Sequence, residues 1–262
     1  MVEMEGRSPE FVASLAKGLN VIRAFDAQTP ALTLSEVAER TGLSRAAARR
    51  FLLTLSELGF AESDGKRFRL TPKVLELGYS YLSSLGLTEV LTPILSRLSE
   101  DLKESVSAAV LDGIEVVYIA RVQAHRILSV GLGVGDRLPA FATSMGRVLL
   151  AHAPDGIQRK ALDPDQLRKF TDKTIVDAPT LMAILRQVRD DGYCLVDQEL
   201  EVGLRSLAVP LRDVHGQVRA ALNVSGHASR TTVDGMLEQY LPVMRKTAAE
   251  ISVLVPQTAG PR

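Results

Sequence analysis

The stretch "LSEVAERTGLSRAAARRFLLTLSELG", residues 34–59, constrains the fold more than any other part of the chain. Leu34, Val37 and Ala38 fall on one side of a short helix, while Glu36, Glu39 and Arg40 face water. Gly42 follows, where a helix exit needs a positive φ angle, and Leu43 is a buried-turn candidate. Thr33 stands where it can cap this helix, and Ser44 where it can cap the next one. In the second helix, Ala47, Phe51, Leu55 and Leu58 gather on one side. Arg45 and Arg49 lie roughly opposite, one turn apart with Ala48 between them, and Arg50 lies at the flank. Cations near a helix N-terminus cost about 0.3–1 kcal/mol. An arrangement that loses local stability is better explained by a partner than by folding. Two helices around a glycine turn, the second opening with small and basic residues, form the helix-turn-helix pattern that enters a DNA major groove.

The flanks agree. "FVASLAKGLNVIRAF" places Phe11, Leu15, Leu19, Ile22 and Phe25 at helical spacing, and "DAQTPALT" breaks that helix with Pro30. "GFAESDGKRFRLT" reads as two strands around the Asp64–Gly65 turn, the second carrying Lys66, Arg67 and Arg69 as a wing against a DNA backbone. From Arg40 to Lys73 there are eight basic and three acidic residues, a surplus of five. The chain as a whole holds 31 of each. Net neutrality argues against diffuse nucleic-acid binding, so this local surplus is the informative quantity. The plain alternative is a solvated face on a three-helix bundle, which leaves the basic hairpin unexplained. The expected duplex-facing set is Thr33, Ser44, Arg45, Ala48, Arg49, Arg50, Lys66, Arg67 and Arg69, within a winged helix-turn-helix over 11–72.

Residues 73–88 carry Val74, Leu77, Tyr81, Leu82 and Leu85 on one helical face, which suits either a domain-packing helix or a linker that pairs with a second subunit. A protein reading two DNA half-sites needs a dimer, which favours pairing. Beyond Glu89, "TEVLTPILSRLSEDLKES" is helical, and "SVSAAVLDGIEVVYIARVQ" is a hairpin around Asp112–Gly113. "RILSVGLGVGDRLPAF" is a strand running into a loop, because its glycines lack the second half of a dinucleotide fingerprint. "TSMGRVLLAHA" is a helix capped by Thr143 or Ser144, followed by helices at "DPDQLRKF" and "APTLMAILRQVRDDG". "LRSLAVPLRD", the turn "VHGQ" and "VRAALNVSG" make a hairpin, and a last helix runs from about 232 to 253. The fold class is α+β in two domains, the second with helices on an antiparallel sheet over 89–256.

Composition removes several classes of function. An apolar fraction of 46% describes a globular protein, and no apolar run is long enough to span a bilayer. The opening "MVEMEGRSPE" is no secretory signal, so a cytoplasmic location is expected, with no membrane partner. One cysteine, Cys194, and four scattered histidines offer neither a disulfide nor a spaced metal-ligand set, and no cofactor is expected.

On "LPAFATSMGRVLLA" (138–151), "DQELEVGLRSLAVPL" (197–211), "ALNVSG" (221–226) and the winged helix-turn-helix, the chain resembles the IclR family of transcriptional regulators along essentially its whole length. "ILSVGLGVGDRLPAFATSMGRVLLA" is especially similar to the branch that responds to protocatechuate, 4-hydroxybenzoate or β-ketoadipate. The resemblance implies a GAF-like C-terminal domain that binds a small effector, and assembly into dimers or tetramers. It also implies a pocket lined by Leu138, Ser144, Met145, Asp197, Ser206, Asn223 and Ser225. Relatives carry a small residue or Gly at the positions of Ser144 and Met145, Cys at that of Ser206 and Ser at that of Asn223, which weakens transfer of ligand identity from glyoxylate-type members.

The residues themselves suit a carboxylate. Ser144 opens a helix whose free N–H groups attract anions, and Arg121 and Arg126 could pair with a carboxylate in bidentate fashion. Arg205 belongs to a "GLR" turn and reads as structural. A competing reading, a hydrolase or transferase on the C-terminal domain, needs a base beside Cys194 or a serine. His125, His152, His215 and His227 follow no such motif. A zinc-assisted sensor built on His215 and His227 lacks further ligands.

Overall fold

The computed structural model describes residues 8, 10–26, 28–78, 88–124 and 132–254. The chain divides into two compact units between Tyr81 and Leu82.

The first unit runs α1 (Ala13–Arg23), β1 (Ala31–Thr33), α2 (Leu34–Thr41), α3 (Arg45–Glu57), β2 (Ala61–Ser63) and β3 (Arg67–Leu70). Gly42 takes φ +65° and ends α2, so the chain turns at once into α3. β3 pairs with both β2 and β1. The hairpin is as expected, whereas β1 falls inside the stretch read as a break. Three helices and this small sheet bury Val21, Leu32, Val37, Ala38, Ala48, Leu52, Leu55 and Ala61. Two expectations fail here. Phe11, Leu15 and Leu19 stay largely exposed, because α1 reaches the core only through its last turn, at Val21 and Ile22. The buried face of α3 is Ala48–Leu52–Leu55, rotated by one residue from the expected one, and it leaves Leu58 exposed. Pro72–Val74 is a 3-10 turn and residues 75–78 are helical. Residues 79–87 of the linker expected at 73–88 lie outside the described residues.

The second unit holds α4 (Thr88–Leu102), β4 (Ser105–Asp112), β5 (Glu115–Val122), β6 (Arg137–Pro139), α5 (Ser144–Ala151), α6 (Asp155–Ala161), α7 (Ala178–Asp191), β7 (Cys194–Asp197), β8 (Leu204–Arg212), β9 (Val218–His227) and α8 (Leu241–Leu254). Its strands form one antiparallel sheet in the order β6-β5-β4-β9-β8-β7. Helices cover both faces. α4 and α8 pack Leu91, Leu95, Leu98, Met244 and Ile251 on Val106, Leu207, Leu222 and Val224. α5 and α7 pack Val148, Leu150, Leu181 and Leu185 against Ala109, Val196, Ala208 and Ala221. "DPDQLRKF" is a single 3-10 turn at Pro164–Gln166 closed by the Asp163 side chain, and the helix of that region is α6.

α5 lies close to the turn before it. A Cβ at Gly146 would sit 2.1 Å from the carbonyl oxygen of Ala140, so only glycine allows this approach. The next residue, Arg147, is 2% exposed. Its Nε donates to the Phe141 carbonyl at 2.7 Å, and its Nη1 and Nη2 meet Glu199 Oε1 and Oε2 at 2.7 and 2.6 Å. Glu199 Oε2 also accepts the Ile175 amide. A buried charge pair needs all of these bonds to offset its desolvation. Here it ties α5 to the loop between β7 and β8.

Candidate functional site

In the first unit, both expected caps form. Thr33 Oγ1 accepts the Glu36 amide at 3.4 Å, while Glu36 Oε2 accepts the Thr33 amide at 2.6 Å. The Thr33 amide and hydroxyl hold the Glu36 carboxyl below its usual value. Ser44 Oγ accepts the Ala47 amide at 3.2 Å. Arg45, Arg49 and Arg50 are exposed and make no ion pair or side-chain hydrogen bond with any described residue. Ala48 is corrected: it is fully buried against the unit's own core and cannot face a partner, because it shares a helix face with Leu52 and Leu55. On the hairpin, Lys66 is exposed, Arg67 donates to the Ala31 carbonyl at 3.0 Å, and Arg69 lies 3.6 Å from Glu62.

In the second unit a cavity of about 680 Å³ opens between the start of α5 and the sheet. Small-molecule sites commonly span about 300–1,000 Å³. Of the expected residues, Arg121, Leu138, Ser144, Met145, Ser206, Asn223 and Ser225 all line it. Strand pairing explains why. Ser107 stands opposite Arg121 on one side and Asn223 on the other, while Ser225 stands opposite both Ser105 and Ser206. Directly paired residues share a sheet face, so four strands present one polar row to α5.

Much of that row is already satisfied. Ser144 Oγ lies 2.9 Å from Asn223 Oδ1 and 3.0 Å from Ser206 Oγ, and Asn223 Nδ2 donates to Ser225 Oγ at 2.9 Å. An amide oxygen only accepts, so the Ser144 hydrogen goes to Asn223 and Ser144 can accept from Ser206. Thr143, not Ser144, caps α5: its Oγ1 accepts the Gly146 amide at 3.1 Å. The amides of Ser144 and Met145 begin the helix and have no intrahelical acceptor. Arg121 is the exception among the side chains. Nη1 donates to Ser107 at 3.2 Å, but Nε is buried without a partner among the described residues. Glu104, buried on the same wall, has the Arg230 guanidinium 3.8 Å away to balance its charge.

Asp197 is corrected. Val196 lines the cavity, and the next residue along a strand faces the other way. The Asp197 carboxylate meets Arg205 at 2.7 Å and Lys173 at 2.9 Å. Burial pushes its pKa up, but the bonds from Lys173 and Arg205 prevail and hold it below the usual value. Arg205, also bonded to the Thr231 carbonyl, is accordingly structural. Arg126 and His125 lie outside the described residues. Tyr118, Glu104 and the loop Leu200–Leu204 line the cavity without having been expected there. The loop was within reach of the sequence, because it lies inside the "DQELEVGLRSLAVPL" segment. Tyr118 was not, because alternation from Arg121 puts it on the opposite face.

Cys194 is not placed as a nucleophile. Cys194 is buried in the core between the sheet and α7, and burial pushes its thiol up to about 12, so it is not a thiolate at neutral pH. Among the described residues, no three His, Cys, Asp or Glu side chains converge on a point where a metal ion could sit.

Residues 14–65 match the IclR helix-turn-helix domain, and residues 79–253 match the C-terminal domain of bacterial transcriptional regulator IclR. The chain belongs to the IclR family. It is 47% identical over 244 residues to the Pca regulon regulatory protein of Pseudomonas putida, covering 93% of this chain and 84% of that one. It is 40% identical over 256 residues to the p-hydroxybenzoate hydroxylase transcriptional activator of Acinetobacter baylyi, covering 96% and 94%. The crystal structure of an IclR homologue from Microbacterium hydrocarbonoxydans complexed with 4-hydroxybenzoate superposes with a TM-score of 0.83 at 27% identity, covering 92% and 98%. As an IclR regulator the chain is a transcription factor, not an enzyme. None of its described helices is long and apolar enough to cross a membrane.

Proposed function

We propose that this IclR regulator binds operator DNA through α3 and the β2–β3 hairpin, and that a small carboxylate held beneath α5 controls it. The effector is an aromatic acid or another acid of the β-ketoadipate pathway. The observation that carries this reading is Arg121, a guanidinium whose buried Nε has no partner among the described residues, on the wall of a largely apolar cavity. A carboxylate supplies the missing acceptor with charge, and the α5 amides lie at the same cavity. The names of the Pseudomonas and Acinetobacter relatives and the 4-hydroxybenzoate complex favour the aromatic class.

At the duplex, Arg45, Arg49 and Arg50 take the groove, Lys66, Arg67 and Arg69 take phosphates, and Ser44 and Thr33 fix the helix ends that approach the backbone. The DNA-reading part is 11–72, the linker and dimerisation helix 73–88, and the effector domain 89–256. Dimers or tetramers acting in the cytoplasm present two reading heads. Control requires the acid to bind the free and operator-bound proteins with different affinity.

The test is a thermal-shift series with protocatechuate, 4-hydroxybenzoate and β-ketoadipate, run with and without an operator fragment. One acid should raise the melting temperature and change operator affinity. Arg121→Gln should abolish the shift. Stabilisation by none of the three defeats the assignment, as does an undiminished shift in Arg121→Gln.

A further inference from the structure

β5 carries one residue more than β4 where they pair. Ala108 stands opposite Ala120 and Ala109 opposite Tyr118, which leaves Ile119 unmatched in a β-bulge. On a regular strand, side chains three apart point to opposite faces. Here Ile119 and Ala120 both enter the core under α4 and α8, and Tyr118 and Arg121 both line the cavity. The two touch: the Arg121 guanidinium carbon lies 5.7 Å from the centre of the Tyr118 ring.

Tyr118 is 5% exposed, and its hydroxyl has no hydrogen-bond partner among the described residues. Burial of a polar group without a partner is a cost that native proteins seldom carry. Arg121 carries such a group, its Nε, into the cavity, and Tyr118 brings a hydroxyl with no partner among the described residues to the same cavity. The device that brings them together is a bulge, a feature that often re-aims a side chain at a site.

We infer that Tyr118 is a specificity-determining effector contact, its hydroxyl donating to the carboxylate that Arg121 anchors. This rests on reading the cavity as the effector site. Burial pushes the phenol above its usual value, so at neutral pH it is protonated and able to donate. With Arg121 it gives the acid two kinds of donor on one wall, and an uncharged analogue leaves both unpaired.

Tyr118→Phe in the full chain isolates the hydroxyl, because the ring beneath the guanidinium remains. The probe is whichever of protocatechuate, 4-hydroxybenzoate and β-ketoadipate most stabilises the wild type. By calorimetry its affinity should fall about tenfold or more in the variant. Without ligand, the variant should melt close to the wild-type temperature, since it loses a hydroxyl that makes no bond to the described residues. Unchanged affinity overturns the inference. A ligand-free melting temperature several degrees lower overturns it as well, because the hydroxyl then bonds within the protein. If Arg121→Gln abolishes binding while Tyr118→Phe retains it, the cavity reading stands and only this inference falls. If the wild type binds none of the acids, both fall.

Discussion

Arg45, Arg49 and Arg50 stand in solvent at the start of α3 without a partner among the described residues, whereas Arg147, in the first turn of α5, is 2% exposed and bonded at all three guanidinium nitrogens. The contrast is one of desolvation. A guanidinium in water loses little by having no partner, and it keeps all its donors for a polyanion. A buried one needs an acceptor at each nitrogen, and Phe141 and Glu199 supply them. Arg121 is intermediate: partly buried, with one bond made to Ser107 and its Nε unmatched among the described residues. What marks an arginine as built for a partner is therefore the balance between its burial and the bonds it already makes.

The strongest way to break this contrast is Arg147→Met. It leaves the Glu199 carboxylate buried and unpaired, so the C-terminal unit should lose about 3–5 kcal/mol in urea unfolding. Removing both charges, in R147M/E199L, should recover most of that loss. A single variant as stable as the wild type would show that the pair is not desolvated as the geometry implies. Next in size is Arg49→Ala, which should weaken operator binding by about 1–3 kcal/mol if the side chain reads a base. Stability should change by less than about 0.5 kcal/mol, and wild-type affinity should fall steeply with salt. An unaltered footprint and affinity would remove Arg49 from the interface.

Thr33→Ala sharpens the comparison within the reading head by deleting a cap and no charge. Thermal unfolding should register a loss of about 1 kcal/mol, and Thr33→Ser should restore most of it. The smallest effect is expected at His152. Its Nδ1 donates to the Val148 carbonyl, and its Nε2 faces Arg212 at 3.2 Å. Burial, then the charges of Arg212 and Arg189, hold the imidazole below the ordinary 6.5. The unfolded chain therefore takes up the proton first. The stability this group contributes is complete above 6.5 and declines as pH falls through the folded value. His152→Gln should flatten that limb in melts run across mildly acidic pH, and an unchanged limb would assign the acid sensitivity to other groups.

The reading head was largely legible from sequence because its signals are local. Thr33, Ser44 and Gly42 act within one helical turn of themselves, and the Asp64–Gly65 turn closes its own hairpin. Ala48 escaped this logic. Four apolar residues in α3 fit either of two faces one residue apart, and the packing of α1 and α2 chose between them. In the effector unit, seven expected positions meet at one cavity, yet Asp197 turned away and Tyr118 turned in. Both outcomes follow from sheet pairing, which no run of residues reveals alone.

By itself, the sequence determined the helix-turn-helix, the basic surplus, the caps and the family, because each depends on residues close in the chain or on motif identity. Tertiary structure decided which side chains face the cavity, since one bulge inverts the alternation of β5 and one residue's shift separates Val196 from Asp197. It also decided which arginines are spent on the fold. Burial and matched donors arise only once distant segments, such as α5 and the loop at Glu199, have packed together.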